Sequence, residues 1–443
     1  MAHKYFLNKV AAIRTLPIFL LIVCFSAIGQ MNPKLATKLD QEATGLEKKV
    51  IEWRRHFHQN PELSNREYKT GAYIAEHLKA LGMEVKYPVA KTGAVGILRT
   101  GKPGPVIGLR ADIDGLPVEE RNGLPFASKA KGEYNGQEVP VMHACGHDTH
   151  IAILMGVAEI FSKMKNDLRG TIVFLFQPAE EGAPAGEEGG AELMVKEGLL
   201  DDPKVEAVFG LHINSLTPVG VLTYKPEGEL ASADGLHIKI TGRQTHGSAP
   251  WAGVDPIVAS AHVITALQTI TSRSIEVTKA PAVVTIGKIT GGVRSNIIPE
   301  SVEMTGTIRN LDTGIQDQVH ALIKRIAQNT AEGLGAKAEV TITRMYPITY
   351  NDPKLTTWSG PILERVAGKD NARIIKAQTG SEDFSFFANK VPGFFFFVGG
   401  MPKDSDPKKT PSHHTPDFFI DESGMLTGLR AMLNLSAEYL YRK

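Results

Sequence analysis

The stretch 141-VMHACGHDTHIAILMG-156 holds three histidines, an aspartate and a cysteine within eight positions, directly ahead of an apolar helical run. Residues two apart on extended chain face the same way, so His143, Cys145 and His147 can share a side if this segment is not helical. The helix is predicted to start just afterwards, at THIAILMGVAEIF (149–161). Thiolate and imidazole are ligands for borderline-soft ions such as Zn²⁺, and a thiolate sulfur can bridge two ions. Blander readings stand beside this one: a free cysteine packs as a small hydrophobe, and Asp148 caps the helix.

Outward from this stretch, apolar strand-like runs alternate with helical ones, the pattern of an α/β fold. VIGLRA (106–111) ends at Asp112 and Asp114, TIVFLFQ (171–177) leads to Glu180 and Glu181, VEAVFGL (205–211) ends at His212, and GFFFFVGG (393–400) precedes His413 and His414. Ligands of open α/β sheets gather at the carboxyl ends of strands, where loops converge on one crevice. Glu180 and Glu181 are adjacent, and neighbours on extended chain point to opposite sides. One carboxylate can then hold a metal while the other takes a proton from metal-activated water. An acidic solvated loop is the alternative, but Gln177-Pro178 directly after the strand sets the pair at the sheet edge. Asp112 and Asp114 are spaced to orient a ligating histidine, or simply to make a turn. His212 alone reads more readily as a satisfied core histidine than as a ligand. GSEDFSFF (380–387) adds Glu382 and Asp383.

Between these parts lies a segment of different rhythm: strand 236–242, helix 254–272, strands 281–289 and 301–309, helix 314–334 and strand 337–345. That order is a ferredoxin-like split βαβ unit inserted into the α/β domain, whose central sheet is expected to be mostly parallel. The expected division is 1–30 as a signal peptide, 31–232 as the first part of the catalytic domain, 233–344 as a lid, and 345–443 as its second part. On the lid, Arg309 can fork onto a carboxylate and His246 or Asn296 can donate to a developing oxyanion. Exposed residues of these types often do neither.

The chain has 443 residues, 42% of them hydrophobic, and a formal net charge of +1. That is core enough for two domains, with no basic excess to neutralise nucleic acid. Lys4, Lys9 and Arg14 precede the apolar run LPIFLLIVCFSAIG (16–29), which reads as an export signal; a retained anchor is the alternative. Cys24 would leave with that signal. Cys145 would then be the lone cysteine of an exported chain, with no disulfide partner.

Together, LRADIDGLP, MHACGHDTH, QPAEEG, GLHI, HGSAP, NIIPE, GSEDF and HTPDF resemble the M20 family of two-metal peptidases. They are most similar to its amidohydrolase branch of hippurate hydrolases, N-acyl-amino-acid amidohydrolases and plant auxin-conjugate hydrolases. The motifs occur in family order over residues 40–440. The resemblance implies Cys145 as bridging ligand, His147, Glu181, His212 and His414 as terminal ligands of two divalent ions (zinc, manganese, nickel or cobalt), Glu180 as general base and Asp114 as the acid that orients the site. It further implies His246, Asn296 and Arg309 as substrate-binding residues, a homodimer formed through the lid, and N-acyl amino acids or short peptides as substrates. Two departures touch the pocket rim: the extra APAGEE (183–188), and Trp251 after HGSAP where a histidine is frequent. A cysteine hydrolase with Cys145 as nucleophile would leave the acidic pair and His414 unexplained. A non-catalytic exported binding protein would not need Glu180.

Overall fold

The computed structural model describes residues 31–442; the expected signal segment, with Cys24, lies outside the described residues. Among the described residues no helix is long and apolar enough to cross a membrane. An eight-stranded sheet forms the larger unit, in the order Glu84–Val89, Gly93–Arg99, Thr171–Gln177, Val106–Asp112, Ala207–Pro218, Gly393–Met401, Leu222–Tyr224, Ala372–Ile374. The middle four are mutually parallel and are the four runs read from the sequence. Their near-continuous apolar character follows from burial on both faces. Helices Pro33–Gln59, His147–Lys163 and Gly424–Leu440 pack together over one face. The first begins at Asn32, whose side chain accepts from Lys34 N–H at 2.9 Å, and buries Leu35, Leu39, Leu46, Val50 and Phe57 along one stripe. Phe384, Phe387 and Phe395 centre a smaller core on the other face.

The second unit is a four-stranded antiparallel sheet in the order Ala282–Gly291, Ser301–Asn310, Ala233–Thr241, Lys337–Tyr346, covered by helices Pro256–Leu267 and Thr313–Glu332. Strand–helix–strand–strand–helix–strand is the ferredoxin-like order expected. It has its own core, built on Ile238, Ile240, Val263, Met304, Ile308, Val319 and Ile323.

One difference from the sequence reading matters for the site. The strand ending in VFGL does not stop at Leu211 but runs Ala207–Pro218, so His212 is a strand residue. Its partner Val106–Asp112 pairs only from Ala207 to Gly210. Beyond Gly210 that flank of the strand has lost its neighbour, which leaves room for side chains from elsewhere, while pairing to Gly393–Met401 continues on the other flank.

Candidate metal centre

Helix His147–Lys163 starts two residues earlier than expected, because Gly146 is its N-cap, in the left-handed region at φ 93°. A Cβ there would also lie 2.4 Å from Ile213 Cγ2, so only glycine lets this loop meet the strand of His212. Cys145 and His147 thereby reach the strand's open flank.

Cys145 Sγ lies 3.3 Å from His212 Nε2 and 3.3 Å from His414 Nε2. Glu181 Oε1 is 3.0 Å from His414 Nε2, and ligand-capable atoms of Cys145, Glu181 and His414 all fall within 4.8 Å of one another. A second such trio, His147, Glu180 and Glu181, shares Glu181 with the first. The rings are fixed through their other nitrogens. His147 Nδ1–H donates to the carbonyl and Oδ1 of Asp114, at 2.9 and 3.1 Å. His212 Nδ1–H donates to the Ile213 carbonyl at 2.5 Å. Backbone holds His414, whose N–H donates to the Ala144 carbonyl at 2.8 Å and whose φ is 63°. Each ring therefore presents Nε2 to the cluster. His147 Nε2 is buried without a hydrogen-bond partner among the described residues. Buried polar atoms in that condition are rare without a bound ion or water, so the donor set fits divalent cations.

Two neighbouring histidines, His150 and His413, are otherwise occupied, while both ring nitrogens of His143 are buried without a partner among the described residues. His150 donates from Nδ1 to Asp112 Oδ1 at 2.5 Å and accepts from Ile213 N–H at Nε2, at 2.8 Å, so both nitrogens are used. His413 likewise donates to the Cys145 carbonyl at 3.0 Å and accepts from Ser215 N–H at 3.1 Å. His143 does not join Cys145 and His147; it is buried, and burial lowers its pKa to about 4. Asp148 is no helix cap: its Oδ2 forms a buried ion pair with Arg54 Nε at 2.7 Å.

The site carries excess negative charge. Burial, then Glu181, Glu180 and Asp112, pushes the Cys145 thiol well above its usual pKa. Burial, then Glu382, Glu181 and Asp383, does the same to the Glu180 carboxyl. Burial disfavours protonated His147, but Asp112 and Asp114 outweigh it and raise the group to about 10. Arg110, fully buried, offsets part of this charge, reaching Asp112 at 2.7 Å, Glu382 at 2.8 Å and Asp383 at 2.9 Å. Sequence reasoning did not single out Arg110; a charged residue inside an otherwise apolar strand, VIGLRAD, was the available signal.

Glu180 and Glu181 sit in a turn, not on extended chain. Ala179, just before them, has φ 53°, a conformation that costs a residue with a Cβ about 1–3 kcal/mol and needs external support. Asp114 supplies part of it: its Oδ2 accepts from Glu181 N–H at 3.1 Å and Ser64 Oγ–H at 2.7 Å, while its Oδ1 serves His147. The added APAGEE segment is tied down by Glu187, paired with Arg66 at 2.7 Å and Lys91 at 3.0 Å. On the second unit, Arg309 reaches the larger one, with Nη1–H donating to Ser381 Oγ at 3.4 Å. His246 and Asn296 do not join the cluster. Both are exposed and adjacent to one another, the Asn296 carbonyl accepting from Gly247 N–H at 2.8 Å, with exposed Trp251 in the loop after His246.

An α/β sheet whose strand ends converge soft and hard metal-capable donors on two overlapping trios, beside a buried carboxyl, defines a metallohydrolase class. The chain belongs to peptidase family M20/M25/M40, which matches residues 108–438, and is accordingly an enzyme of amide hydrolysis. It is 38% identical over 409 residues to thermostable carboxypeptidase 2 of Saccharolobus solfataricus, covering 91% of this chain and 99% of the relative. It is 37% identical over 383 residues to N-acetyl-L-cysteine deacetylase of Bacillus subtilis, covering 86% of each. Among solved structures, a Bacillus subtilis dinuclear metal binding peptidase of the M20 family aligns with a TM-score of 0.75 at 32% identity, over 90% of this chain and 100% of that one.

Proposed function

We propose that this enzyme hydrolyses the amide bond of an N-acyl amino acid or short peptide at a two-metal centre that Cys145, His147, Glu181, His212 and His414 would hold. The observation that carries the reading is the buried, unpartnered Nε2 of His147, facing Glu180 and Glu181 while Asp114 holds its other nitrogen. A pair of divalent ions supplies Lewis acidity, polarising the scissile carbonyl and acidifying water. Thiolate and imidazole suit zinc, nickel and cobalt, and the carboxylates suit manganese, so the donor set takes any of the four. Glu180 accepts the water's proton on its carboxylate and carries it to the leaving amine nitrogen, giving a carboxylic acid and an amino acid. Asp114 keeps the His147 ring in the tautomer that exposes Nε2. Arg309 holds the free carboxylate of the amino-acid part. His246, which belongs to no ligand-capable group among the described residues, and the adjacent Asn296 act on a neighbouring copy within a homodimer joined through the second unit. The enzyme works outside the cytoplasm, exported through residues 1–30.

A nucleophilic role for Cys145 would leave Glu180, Glu181 and the unpartnered Nε2 of His147 without a task. The decisive experiment assays the metal-reconstituted, reduced enzyme on a panel of N-acyl amino acids and short peptides, with and without chelator. Glu180→Gln is expected to retain its metal and lose turnover by about 10²–10⁴-fold. Chelator-resistant turnover, or an active Glu180→Gln, would sink the reading.

A further inference from the structure

The turn bearing Glu180 is pinned at three successive residues. Glu67 accepts from Ala179 N–H at 2.8 Å, and Asp114 from Glu181 N–H at 3.1 Å. Between them the Glu180 carbonyl accepts a 2.6 Å hydrogen bond from the Tyr346 hydroxyl. Glu67 and Asp114 belong to the larger unit, but Tyr346 does not. It is the last residue of strand Lys337–Tyr346 in the second sheet, opposite Ala233, the first residue of the strand by which the chain enters that sheet. The second unit therefore touches the catalytic turn through a phenol at its own exit point.

We propose that Tyr346 is a positioning residue: its hydroxyl fixes the peptide plane after Glu180, sets the carboxylate in place, and makes proton transfer depend on where the second unit sits. This rests on Glu180 being the proton carrier. The Glu180 side chain has little else to hold it, its hydrogen bond among the described residues being a 3.5 Å contact with Asp383 N–H. Its placement is thus inherited from its backbone. That backbone follows Ala179 at φ 53°, a conformation that persists only where surroundings enforce it. The phenol is a dependable donor, because burial and then Asp383 and Glu180 push its pKa upward. Its ring packs edge-to-face on Phe386 and lines a cavity of about 940 Å³ shared with Ile348, Tyr350 and Phe386. Removing the ring would therefore leave a space that small molecules can enter.

The test uses the metal-loaded enzyme. Tyr346→Phe keeps the ring and deletes the donor; kcat should fall about tenfold, the effect of losing one hydrogen bond that matters in the transition state, with KM within about twofold of wild type and metal content unchanged. Tyr346→Ala should fall further, and 4-methylphenol should restore part of its kcat while toluene, of similar shape but without a hydroxyl, should not. Wild-type kcat in Tyr346→Phe, loss of metal from that variant, or equal rescue by toluene would each overturn the proposal. Should Tyr346→Ala fail to fold, Tyr346→Phe alone decides. Glu180→Gln run alongside separates the two ideas. If it stays active, the proton-carrier reading fails; if it is dead while Tyr346→Phe is normal, only the role of Tyr346 fails.

Discussion

His147 and Asp148 are neighbours in sequence and belong to two buried acid–histidine clusters of nearly the same composition and opposite character. Asp148 pairs with Arg54 Nε at 2.7 Å and His58 Nδ1 at 2.9 Å; His58 Nε2 meets Glu120 at 3.0 Å, and Glu422 takes Arg54 at 3.2 Å and Arg55 at 2.6 Å. Three carboxylates there face three groups that carry or can carry positive charge. Around His147 the carboxylates of Asp112, Asp114, Glu180, Glu181, Glu382 and Asp383 converge, and Arg110 is the buried guanidinium among them. Burial of acids and histidines therefore does not mark a functional site by itself. The mark is unbalanced charge, together with an unbonded ring nitrogen that faces other ligand-capable atoms; His143, whose two ring nitrogens are also without partners, belongs to no such group among the described residues.

The sharpest way to break this contrast is to remove a donor from the open cluster. Cys145→Ala should weaken metal binding more than about 100-fold, since residues that merely orient ligands already change affinity 10–100-fold. Turnover should vanish with the metal, and the metal-free protein should melt no more than about 4 °C below wild type, because the change removes one small buried side chain. Elemental analysis after dialysis and a melting curve check both halves; a variant that keeps two ions would contradict the assignment.

The closed cluster should answer in the opposite currency. Arg54→Leu leaves Asp148 charged and buried without its guanidinium, which costs about 3–5 kcal/mol of stability. Metal stoichiometry of the folded fraction should not change. Denaturant midpoints at constant m-value would show the loss. If metal is lost instead, the two clusters are not separate.

His150 lies between the two in effect. Both its nitrogens are engaged, by Asp112 and by Ile213 N–H, so His150→Phe should cost about 1–3 kcal/mol for buried groups left unpaired while the ion count stays the same. A drop of one ion per subunit would make His150 a ligand and remove the distinction drawn from its hydrogen bonds.

Much of this is legible in the sequence. The four parallel strands were legible because their residues are apolar on both faces, and the second unit because its strand and helix periods alternate in ferredoxin-like order. QPAEEG and MHACGHDTH carried their chemistry in residue type. What stayed hidden was set by tertiary partners. Nothing in HACGHDTH separates His147 from His150 or His143, since the separation lies in tertiary neighbours: Asp112 and Ile213 take both nitrogens of His150, Asp114 leaves His147 Nε2 facing Glu180 and Glu181, and His143 joins no ligand-capable group among the described residues. Asp148 read as a cap because the residue paired with it, Arg54, is over ninety positions away. The extent of Ala207–Pro218 depends on which neighbouring strand stops first, which local periodicity does not encode.

The smallest effect is a pH slope belonging to the closed cluster. Burial lowers the pKa of His58, but Asp148 and Glu120 outweigh it and the folded value is raised. A raised folded value means that protonated His58 contributes its full stabilisation below its unfolded pKa, about 6.5, and loses it as pH climbs through the folded value. Asp148 and Glu120 are depressed, so their contributions run the other way: present above about pH 4 and lost on acidification. Wild type and His58→Gln, melted from pH 6 to 9 in the same saturating metal, should therefore converge as pH rises. Their difference should change by no more than about 1.4 kcal/mol per pH unit, the limit for one proton. Curves that run parallel across this range would mean that His58 is not protonated in the folded protein, and the closed cluster would then lack one of the three positive charges that distinguish it from the open one.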